Sequence, residues 1–442
     1  MTRGRSWRIA SVVACVAMLT GCDTWLGESE EPPLPGSRIP VIVYDGALQP
    51  DPRVTGIAVA LPAPYRNANW AQAGGGPLHA LGHVEAPNVL GKPAWTVDIG
   101  AGAGWYRPML SEPVAAGGRV YTMDSKATIS AYDAADGKRL WRTGFAAPSR
   151  DSEAFGGGIA FDGGRIYAVT GFSEVGAFDA ETGKLLWRQP IAGPVRGAPL
   201  VMGAQIFVVT VDNETVALAA DTGAVQWQHA GFAEPAALIG AASAAGIEGT
   251  VVSPYSSGEI FALNAASGRA NWSDNLAAVR RQDATSSLAD IRALPVTDGS
   301  LVYAVSHSGR TEAIDLRTGA RAWERNIGGV NTPWIGGDWL FILGNENQLA
   351  CLGRRDGRVR WVVQIDRFED EKAHKGPVRW IGPLLLSNRL VLIGRHGQGI
   401  AVDPADGTVA ERFKVPKNIM SAIVADGTLY LQTDNAKLMA YR

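Results

Sequence analysis

An eleven-residue pattern that recurs along the chain limits its possible folds more than any other feature. Its clearest copy is Ala313–Trp323, in which one apolar stretch ends at Asp315, a turn runs to Gly319 and a second stretch ends at tryptophan. Aspartate can cap its own turn through its side chain, and glycine accepts a positive φ without steric cost. Each copy therefore predicts two β-strands joined by a tight turn.

The spacing of the copies predicts how many strands each repeat contributes. The turn glycines of successive copies are separated by 46, 40, 45, 51, 38 and 50 residues. Propeller repeats with four strands per blade fall at about 40–45 residues. A further Gly-bounded apolar strand, such as the one that begins after Gly164, precedes each turn. One four-stranded antiparallel blade per repeat is therefore expected.

The two ends of the repeat region complete one another. The last copy stops at Arg442, before its turn, whereas residues 92–98 resemble a final strand with no turn before it. Pairing these ends adds an eighth blade to seven complete frames and closes the seam. The predicted fold is an all-β, eight-bladed β-propeller of four-stranded antiparallel blades, closed by an N-terminal strand at about residues 92–99. The tryptophans predicted to pack between blades are Trp95, Trp141, Trp187, Trp227, Trp272, Trp323 and Trp361.

The first residues have the features of a bacterial lipoprotein signal. A basic start and an apolar run too short to span a bilayer are followed by Leu19–Cys22, which matches the lipobox. We expect cleavage after residue 21 and lipidation of Cys22, whose acyl chains would hold the mature protein on a membrane. A secretory signal with a chance cysteine is the alternative. Asp23, directly after this cysteine, leaves the inner membrane open as the location.

The rest of the chain divides into a tether, an extension and the propeller. After a signal peptide at 1–21, we expect a lipidated flexible tether at 22–38, an N-terminal extension packing on or near the propeller at 39–91, and the propeller at 92–442. A hydrophobic share of 46% is sufficient for a large packed core. The net charge of −2 gives no indication of nucleic-acid binding. Cys351 occupies an alanine position of the repeat, which predicts a small buried thiol.

The repeat and the lipobox together resemble those of a known family. The frame in Ala177–Trp187, with Asp179 and Gly183 at its turn, is similar to the repeat of pyrroloquinoline-quinone-type propellers. With the lipobox and no further domain, the chain resembles the BamB-type lipoproteins of outer-membrane protein assembly. Glu411 departs from the pattern because it stands where tryptophan is expected, and Ala219, Asn264 and Gly353 replace the turn aspartate.

This resemblance implies a non-enzymatic scaffold, without cofactor or metal, that is lipid-anchored on the periplasmic face of the outer membrane. The implied partners are the periplasmic domains of the outer-membrane barrel insertase, other lipoproteins of the assembly machinery and unfolded barrel precursors. Two inter-blade segments, residues 195–197 and 288–292, resemble the segments with which the family contacts the insertase. Arg292 replaces an acidic residue of the family pattern. The implied protein-binding residues are Val195, Arg196, Leu288, Asp290 and Arg292.

Other functions stay open as alternatives. A quinone-dependent dehydrogenase-like propeller would need a calcium or lanthanide site of carboxylate and amide oxygens. Most members of that enzyme family also have two adjacent cysteines, which this chain lacks. A sugar-binding periplasmic propeller is a further alternative.

Two further features have no assigned role in the sequence. His79 and His83 have the i, i+4 spacing of metal ligands on a helix, but no carboxylate or cysteine nearby completes the set, so we expect surface turn histidines. Two long inter-blade segments, residues 273–292 and 365–375, are candidates for a partner-binding rim or for solvated loops.

Overall fold

Eight four-stranded antiparallel sheets follow one another in the computed structural model, which confirms the predicted eight-bladed propeller. First strands of neighbouring sheets contact one another, so they form the inner wall of the ring. Among the residues that the structure describes, no helix is long and apolar enough to cross a membrane. The residues that the structure describes are 48–87, 91–104, 108, 111–145, 156–195, 197–234, 238, 240, 242–277 and 289–442.

The first four blades are built from consecutive strands, after a separate strand β1 at Trp95–Asp98. Blade 1 contains β2 (Val114–Ala116), β3 (Arg119–Met123), β4 (Thr128–Asp133) and β5 (Arg139–Gly144). Blade 2 contains β6 (Gly157–Asp162), β7 (Arg165–Thr170), β8 (Glu174–Asp179) and β9 (Leu185–Pro190). Blade 3 contains β10 (Leu200–Met202), β11 (Gln205–Val209), β12 (Glu214–Ala219) and β13 (Val225–Ala230). Blade 4 contains β14 (Ala245–Ile247), β15 (Thr250–Pro254), β16 (Glu259–Asn264) and β17 (Ala270–Asn275).

The remaining blades include one extra hairpin and the strand from the N-terminal side. Blade 5 contains β18 (Val296–Thr297), β19 (Leu301–Val305), β20 (Thr311–Asp315) and β21 (Arg321–Arg325). Blade 6 contains β22 (Trp334–Gly336), β23 (Trp339–Leu343), β24 (Gln348–Gly353) and β25 (Val359–Gln364). The extra hairpin consists of β26 (Phe368–Asp370) and β27 (Lys375–Pro377). Blade 7 contains β28 (Trp380–Leu386), β29 (Arg389–Gly394), β30 (Gln398–Val402) and β31 (Val409–Lys414). Blade 8 contains β32 (Ile419–Ala425), β33 (Thr428–Thr433), β34 (Lys437–Tyr441) and β1.

Each repeat tryptophan lies in a cross-strand row inside its own blade. In blade 1 the row is Tyr121, Ala131 and Trp141, and the small alanine lets the two rings meet with centroids 6.0 Å apart. Such aromatic pairs add to the stability gained from burial. In blade 6 the middle position is held by Cys351, which is buried as expected, and burial raises the pKa of its thiol.

The same tryptophans also connect neighbouring blades. Trp95 Nε1 donates a hydrogen bond to the carbonyl of Ala134, in the turn of blade 1, at 3.0 Å. Gly137 in that turn has φ +76°, and a Cβ there would lie 2.8 Å from the Trp95 ring. Only glycine fits both conditions. The corresponding pairs of indole donor and carbonyl acceptor are Trp141–Ala180, Trp187–Ala220, Trp227–Ala265, Trp272–Leu316, Trp323–Arg354 and Trp361–Pro404.

The ring closes where the chain ends meet. Strand β1 pairs antiparallel with β34, from Trp95 opposite Ala440 to Asp98 opposite Lys437. This confirms the predicted closure, and it also explains Glu411. A tryptophan at that position of blade 7 would pack on the last turn of blade 8. In blade 8 the third and fourth strands come from opposite chain ends, so no such turn exists.

Residues 48–87, here called the strap, hydrogen-bond to all eight blades at the end where first and second strands connect. Trp70 exchanges two backbone hydrogen bonds with Ala115 of blade 1, at 2.7 and 2.8 Å. The Gln72 side chain similarly bonds both backbone groups of Val201 in blade 3, at 2.9 and 2.8 Å. The strap contacts in the other blades are Ala71–Phe161, Pro77–Gly246, Leu78–Thr297, Gly82–Trp334, Val84–Leu385 and Asn67–Asp426.

The expectation that His79 and His83 lie at the surface is wrong. They are only 5% and 1% exposed. Nδ1 of His79 lies 2.7 Å from the carbonyl of Pro295, and burial lowers the pKa of this imidazole to about 4. His83 uses both ring nitrogens, with Nδ1 2.7 Å from the Pro62 carbonyl and Nε2 accepting from the Asn388 N–H at 2.7 Å. These histidines therefore hold the strap in place.

Candidate functional site

The described residues of the predicted protein-binding segments lie at the end of the ring opposite the strap. This end, here called the upper face, carries the turns between second and third strands and the connections between blades. Val195, Asp290 and Arg292 are described there, just before the first strands of the blades that follow. Arg196 and Leu288 lie outside the described residues, as does the predicted lipidation site Cys22.

Val195 joins blade 2 to a turn of blade 3. Its N–H donates to the carbonyl of Thr170 at 3.2 Å, and Val195 forms an antiparallel bridge with Thr210. Beside it, the N–H of Val211 donates to the carbonyl of Pro194 at 2.9 Å. The side chain of Val195 is buried. Val195 is therefore held to both blade 2 and blade 3.

Asp290 connects three segments of the upper face. Its side chain is 3% exposed, and Oδ2 accepts a hydrogen bond from the N–H of Leu238 at 2.8 Å. Its carbonyl accepts from the N–H of His307 at 2.9 Å. The carboxylate is therefore used inside the protein, where it holds the connection between blades 3 and 4. An effect of Asp290 on a partner would be exerted through the position of these segments.

Arg292 lies close to charged groups from other blades. An ideal Cβ on Gly240 would lie 3.1 Å from Arg292 Nε, so the guanidinium passes directly over this glycine. Burial lowers the pKa of Arg292, with Asp290 acting against it and Arg379 adding to it. Glu112, which precedes blade 1, also acts on this guanidinium. These groups come from the connections that precede blades 1, 5 and 7.

A small cavity lies between blades 3 and 4 on the upper face. Its walls come from the second-to-third-strand turns of both blades and from the connections that precede blades 4 and 5. The lining residues are Val209, Thr210, Val211, Asn213, Gly240, Ala242, Pro254, Ser256, Asp290 and Ile291. The cavity therefore lies between the Val195 segment and the Asp290 segment.

Asn213, which sequence reasoning missed, holds the two sides of this cavity together. It adopts φ +60° in a blade 3 turn, and its Oδ1 accepts hydrogen bonds from the N–H and Oγ of Ser256, both at 2.9 Å. Its Nδ2 donates to the carbonyl of Phe232 at 2.6 Å. An asparagine between two acidic residues was the available signal, since asparagine tolerates the left-handed region. Its distant partners could not be predicted.

The second long segment singled out in the sequence forms the extra hairpin between blades 6 and 7. Asp370 pairs with Lys375 across it, and the rings of Phe368 and His374 stack with centroids 5.1 Å apart. Most of the first long segment, residues 278–288, lies outside the described residues.

Comparisons with known proteins give matches that cover most of the chain. The family described as outer membrane protein assembly factor BamB matches residues 81–153 and 125–363. An uncharacterised protein of Rickettsia prowazekii is 27% identical over 343 residues, which is 74% of this chain and 81% of that protein. Outer membrane protein assembly factor BamB of Yersinia pestis is 25% identical over 354 residues, 78% of this chain and 88% of the relative.

Solved structures share the propeller fold. The structure of BamB from Moraxella catarrhalis has a TM-score of 0.66 at 17% identity and covers 79% of this chain and 99% of its own. Quinohemoprotein alcohol dehydrogenase from Comamonas testosteroni has a TM-score of 0.63 at 13% identity, over 85% of this chain and 80% of its own. At these identities the likeness concerns the fold alone.

A quinone-dependent dehydrogenase would use a group of side chains in the protein to hold its metal ion. Among the described residues there is no group of three or more histidine, cysteine, aspartate or glutamate side chains that could hold a metal ion. Cys351 is enclosed in blade 6, and the sequence contains no pair of adjacent cysteines.

Proposed function

Because this chain belongs to the family of outer membrane protein assembly factor BamB, we propose that it is a non-enzymatic scaffold of outer-membrane protein assembly. The family match over residues 81–153 and 125–363 is the observation that carries this proposal. A closed ring whose connections form buried networks suits a scaffold, because rigid elements can present binding segments with little loss of conformational entropy.

The proposed docking partner is the periplasmic part of the outer-membrane barrel insertase, together with other lipoproteins of the assembly machinery. The proposed contact surface is the upper face around Val195, Arg196, Leu288, Asp290 and Arg292. The contacts of Val195 and Asp290 support it, since both residues position segments on the two sides of the blade 3–4 cavity. Lipidated Cys22 would anchor the protein on the periplasmic face of the outer membrane.

Unfolded barrel precursors are the proposed clients. The outer strands of three consecutive blades expose apolar side chains along edges that have no further strand in the sheet, namely Leu140, Leu185, Leu186 and Val225. Extended chains add to such edges through backbone hydrogen bonds, and side-chain contacts then provide selectivity. These edges therefore offer a place for a precursor strand before it is transferred to the insertase.

Co-purification of the full-length lipidated protein with the insertase tests the docking proposal. We expect Arg196→Glu to reduce the recovered insertase at least about tenfold, since reversing an interface charge both removes an attraction and adds a repulsion. Arg389→Glu serves as the control, because Arg389 lies at the strap end of blade 7 beside the turn residue Asn388. Equal recovery in both variants would remove Arg196 from the interface, and a wild-type protein that recovers no insertase would contradict the proposed function.

A further inference from the structure

Phe232 is the most exposed large apolar side chain in the described part of the molecule, at 74%. It follows the outer strand of blade 3 on the upper face, where the chain turns toward blade 4. Single exposed apolar residues are ordinary on protein surfaces and need no explanation by themselves. What distinguishes Phe232 is the way its backbone is held.

Both backbone polar groups of Phe232 are bound by buried side chains from other parts of the chain. Its N–H donates to Glu259 Oε2 at 2.7 Å, and its carbonyl accepts from Asn213 Nδ2 at 2.6 Å. The preceding Gly231 donates its N–H to the carbonyl of Asn213 at 2.8 Å. A hydrogen bond to an ionised carboxylate is about twice as strong as one between neutral groups. The backbone that carries the phenyl ring is therefore fixed on both sides.

The groups that hold Phe232 are themselves held. Glu259 is only 7% exposed, and its Oε2 also accepts from Ser257 Oγ at 2.8 Å. Tyr255 closes the space below Gly231, since a Cβ on this glycine would lie 2.5 Å from the tyrosine ring. Burying a carboxylate is costly unless it is well hydrogen-bonded. Here one of its hydrogen bonds serves to position an exposed phenylalanine.

Acidic residues lie close in sequence to Phe232 and to Asn213, which binds its carbonyl. Asp212 and Glu214 flank Asn213 in sequence, and Glu234 follows two residues after the phenylalanine. Burial and the neighbouring Asp212 charge raise the pKa of Glu214. An acidic surface repels an anionic membrane. It favours a partner whose binding site is surrounded by basic groups.

The position of Phe232 is continuous with the proposed docking surface. Asn213 links it to Ser256 of blade 4, and the adjacent Tyr255 carbonyl accepts from the N–H of Ile291, next to Asp290. On the other side, Thr210 in the Asn213 turn forms the bridge with Val195. Phe232 therefore lies between the two segments that the sequence singled out.

We propose that Phe232 is a preorganised aromatic anchor that inserts into an apolar pocket, edged by basic side chains, on a folded protein partner. This inference rests on the proposed function, under which the partner is the periplasmic part of the insertase. Aromatic residues dominate binding energy at interface centres, and an anchor already fixed in its bound geometry loses less entropy on binding. The acidic neighbours provide the complementary charge for the pocket edge.

The test measures the affinity of the full-length lipidated protein in detergent for the purified periplasmic part of the insertase. We expect Phe232→Ala to weaken binding about thirtyfold or more, the size typical of an interface hot spot. Phe232→Tyr should keep most of the affinity because it retains the ring. Ile57→Ala removes an apolar side chain that is 50% exposed in the strap, and it should leave the affinity unchanged.

Two further measurements separate the possible failures. Because Phe232 is mostly exposed, Phe232→Ala should keep the melting temperature of the wild type, so lost binding would not reflect unfolding. Wild-type binding with no loss in Phe232→Ala would overturn the anchor and leave the proposed function standing. Absence of any wild-type binding would overturn both. If Phe232→Ala instead abolished self-association in sedimentation while insertase binding persisted, the ring would belong to a contact between two copies, which also overturns this assignment.

Discussion

At the scale of single residues, Glu312 is a fully buried carboxyl group between blades 4 and 5. Its Oε1 lies 3.4 Å from Arg310 Nη1, and its Oε2 lies 3.3 Å from Arg321 Nε. Arg321 also donates from Nε to Asp274 Oδ2 at 2.7 Å, so two carboxyl groups share one guanidinium. Burial raises the pKa of Glu312 to about 7, and the charge of Asp274 adds to this while the arginines oppose it.

This environment predicts a stability that decreases as pH rises. The ordinary pKa of the group is 4.5, so between 4.5 and about 7 the folded protein holds a proton that the unfolded chain has lost. The free energy of unfolding should therefore fall by up to about 1.4 kcal/mol per pH unit across this window and stay at the lower value above it. Glu312→Gln remains uncharged and should flatten this part of the profile. Urea unfolding between pH 5 and 8 measures the effect.

The control for this experiment is Glu324→Gln, which removes a half-exposed partner of Arg321 and should preserve the slope. Parallel profiles for wild type and Glu312→Gln would show that Glu312 does not titrate in this window. His79 contributes with the opposite sign. Its pKa is lowered from 6.5 to about 4, so its part of the stability is lost as pH falls through that range. His79 is present in both the wild type and Glu312→Gln, so the difference between their pH profiles does not contain its contribution.

Residues were predictable from the sequence where their role depends on local spacing. In each copy that has the tryptophan, the turn glycine lies four residues before it, as in Gly183 and Trp187, so the local pattern indicates both the turn and the aromatic residue. Asn213, Glu259 and His83 act through partners dozens to hundreds of residues away, and no local pattern marks such contacts. For His83 the sequence predicts a surface position because no nearby ligand completes a metal set, whereas the strap buries it against blade 7.

At the scale of elements, the contact between tryptophan and turn glycine is the repeated connection from one blade to the next. Gly223 has φ +76°, and a Cβ on it would lie 2.5 Å from the Trp187 ring. Gly203 has φ +62° in a turn of the same blade, but a Cβ there would meet nothing within 4 Å. These two glycines therefore differ in packing while sharing the left-handed backbone.

Alanine substitutions at these positions separate backbone strain from packing. Gly203→Ala should lower the free energy of unfolding by about 1–2 kcal/mol, which is the strain of a left-handed non-glycine residue. Gly223→Ala should lower the free energy of unfolding by that amount and by about 1–3 kcal/mol more, because the methyl group displaces the indole of Trp187. Denaturant unfolding of both variants gives the difference. Equal losses of stability in the two variants would mean that the Trp187 ring moves aside without destabilising the protein. The ring would then not hold the blades together.

The number and boundaries of the blades followed from the repeated pattern because each blade is stabilised mainly by its own strands and its neighbours. The extra hairpin β26–β27 was not predicted, since its segment reads as a charged loop with Glu369, Asp370 and Glu371 in succession. Glu411 was noted as a departure from the pattern. Its cause became evident only from the closed ring, in which blade 8 has no turn for a tryptophan to contact.

At the scale of the whole molecule, the predicted family and the predicted ring closure are confirmed, whereas the course of the strap could not be foreseen. The strap has no repeat and few apolar runs, so its sequence does not indicate which blades it contacts. In the structure it places Trp70, His83 and Val84 in buried positions and hydrogen-bonds to every blade. The ring is therefore held by two independent means, the paired chain ends of blade 8 and a segment that crosses all the blades.

Removing the strap tests how far the ring depends on it. A chain that begins at residue 88 loses several buried side chains, each worth about 1.5–3 kcal/mol, as well as hydrogen bonds to eight blades. We expect a lower melting temperature than for a chain that begins at Leu48, the matched control that keeps the strap. Hydrogen exchange should rise at the strap-facing ends of the first strands, including Ala115, Val201 and Thr297, and should change little on the upper face. Insertase affinity should persist because the two faces are opposite ends of the ring. An unchanged melting temperature would show that strand closure alone stabilises the propeller, and lost affinity would show that the strap also shapes the upper face.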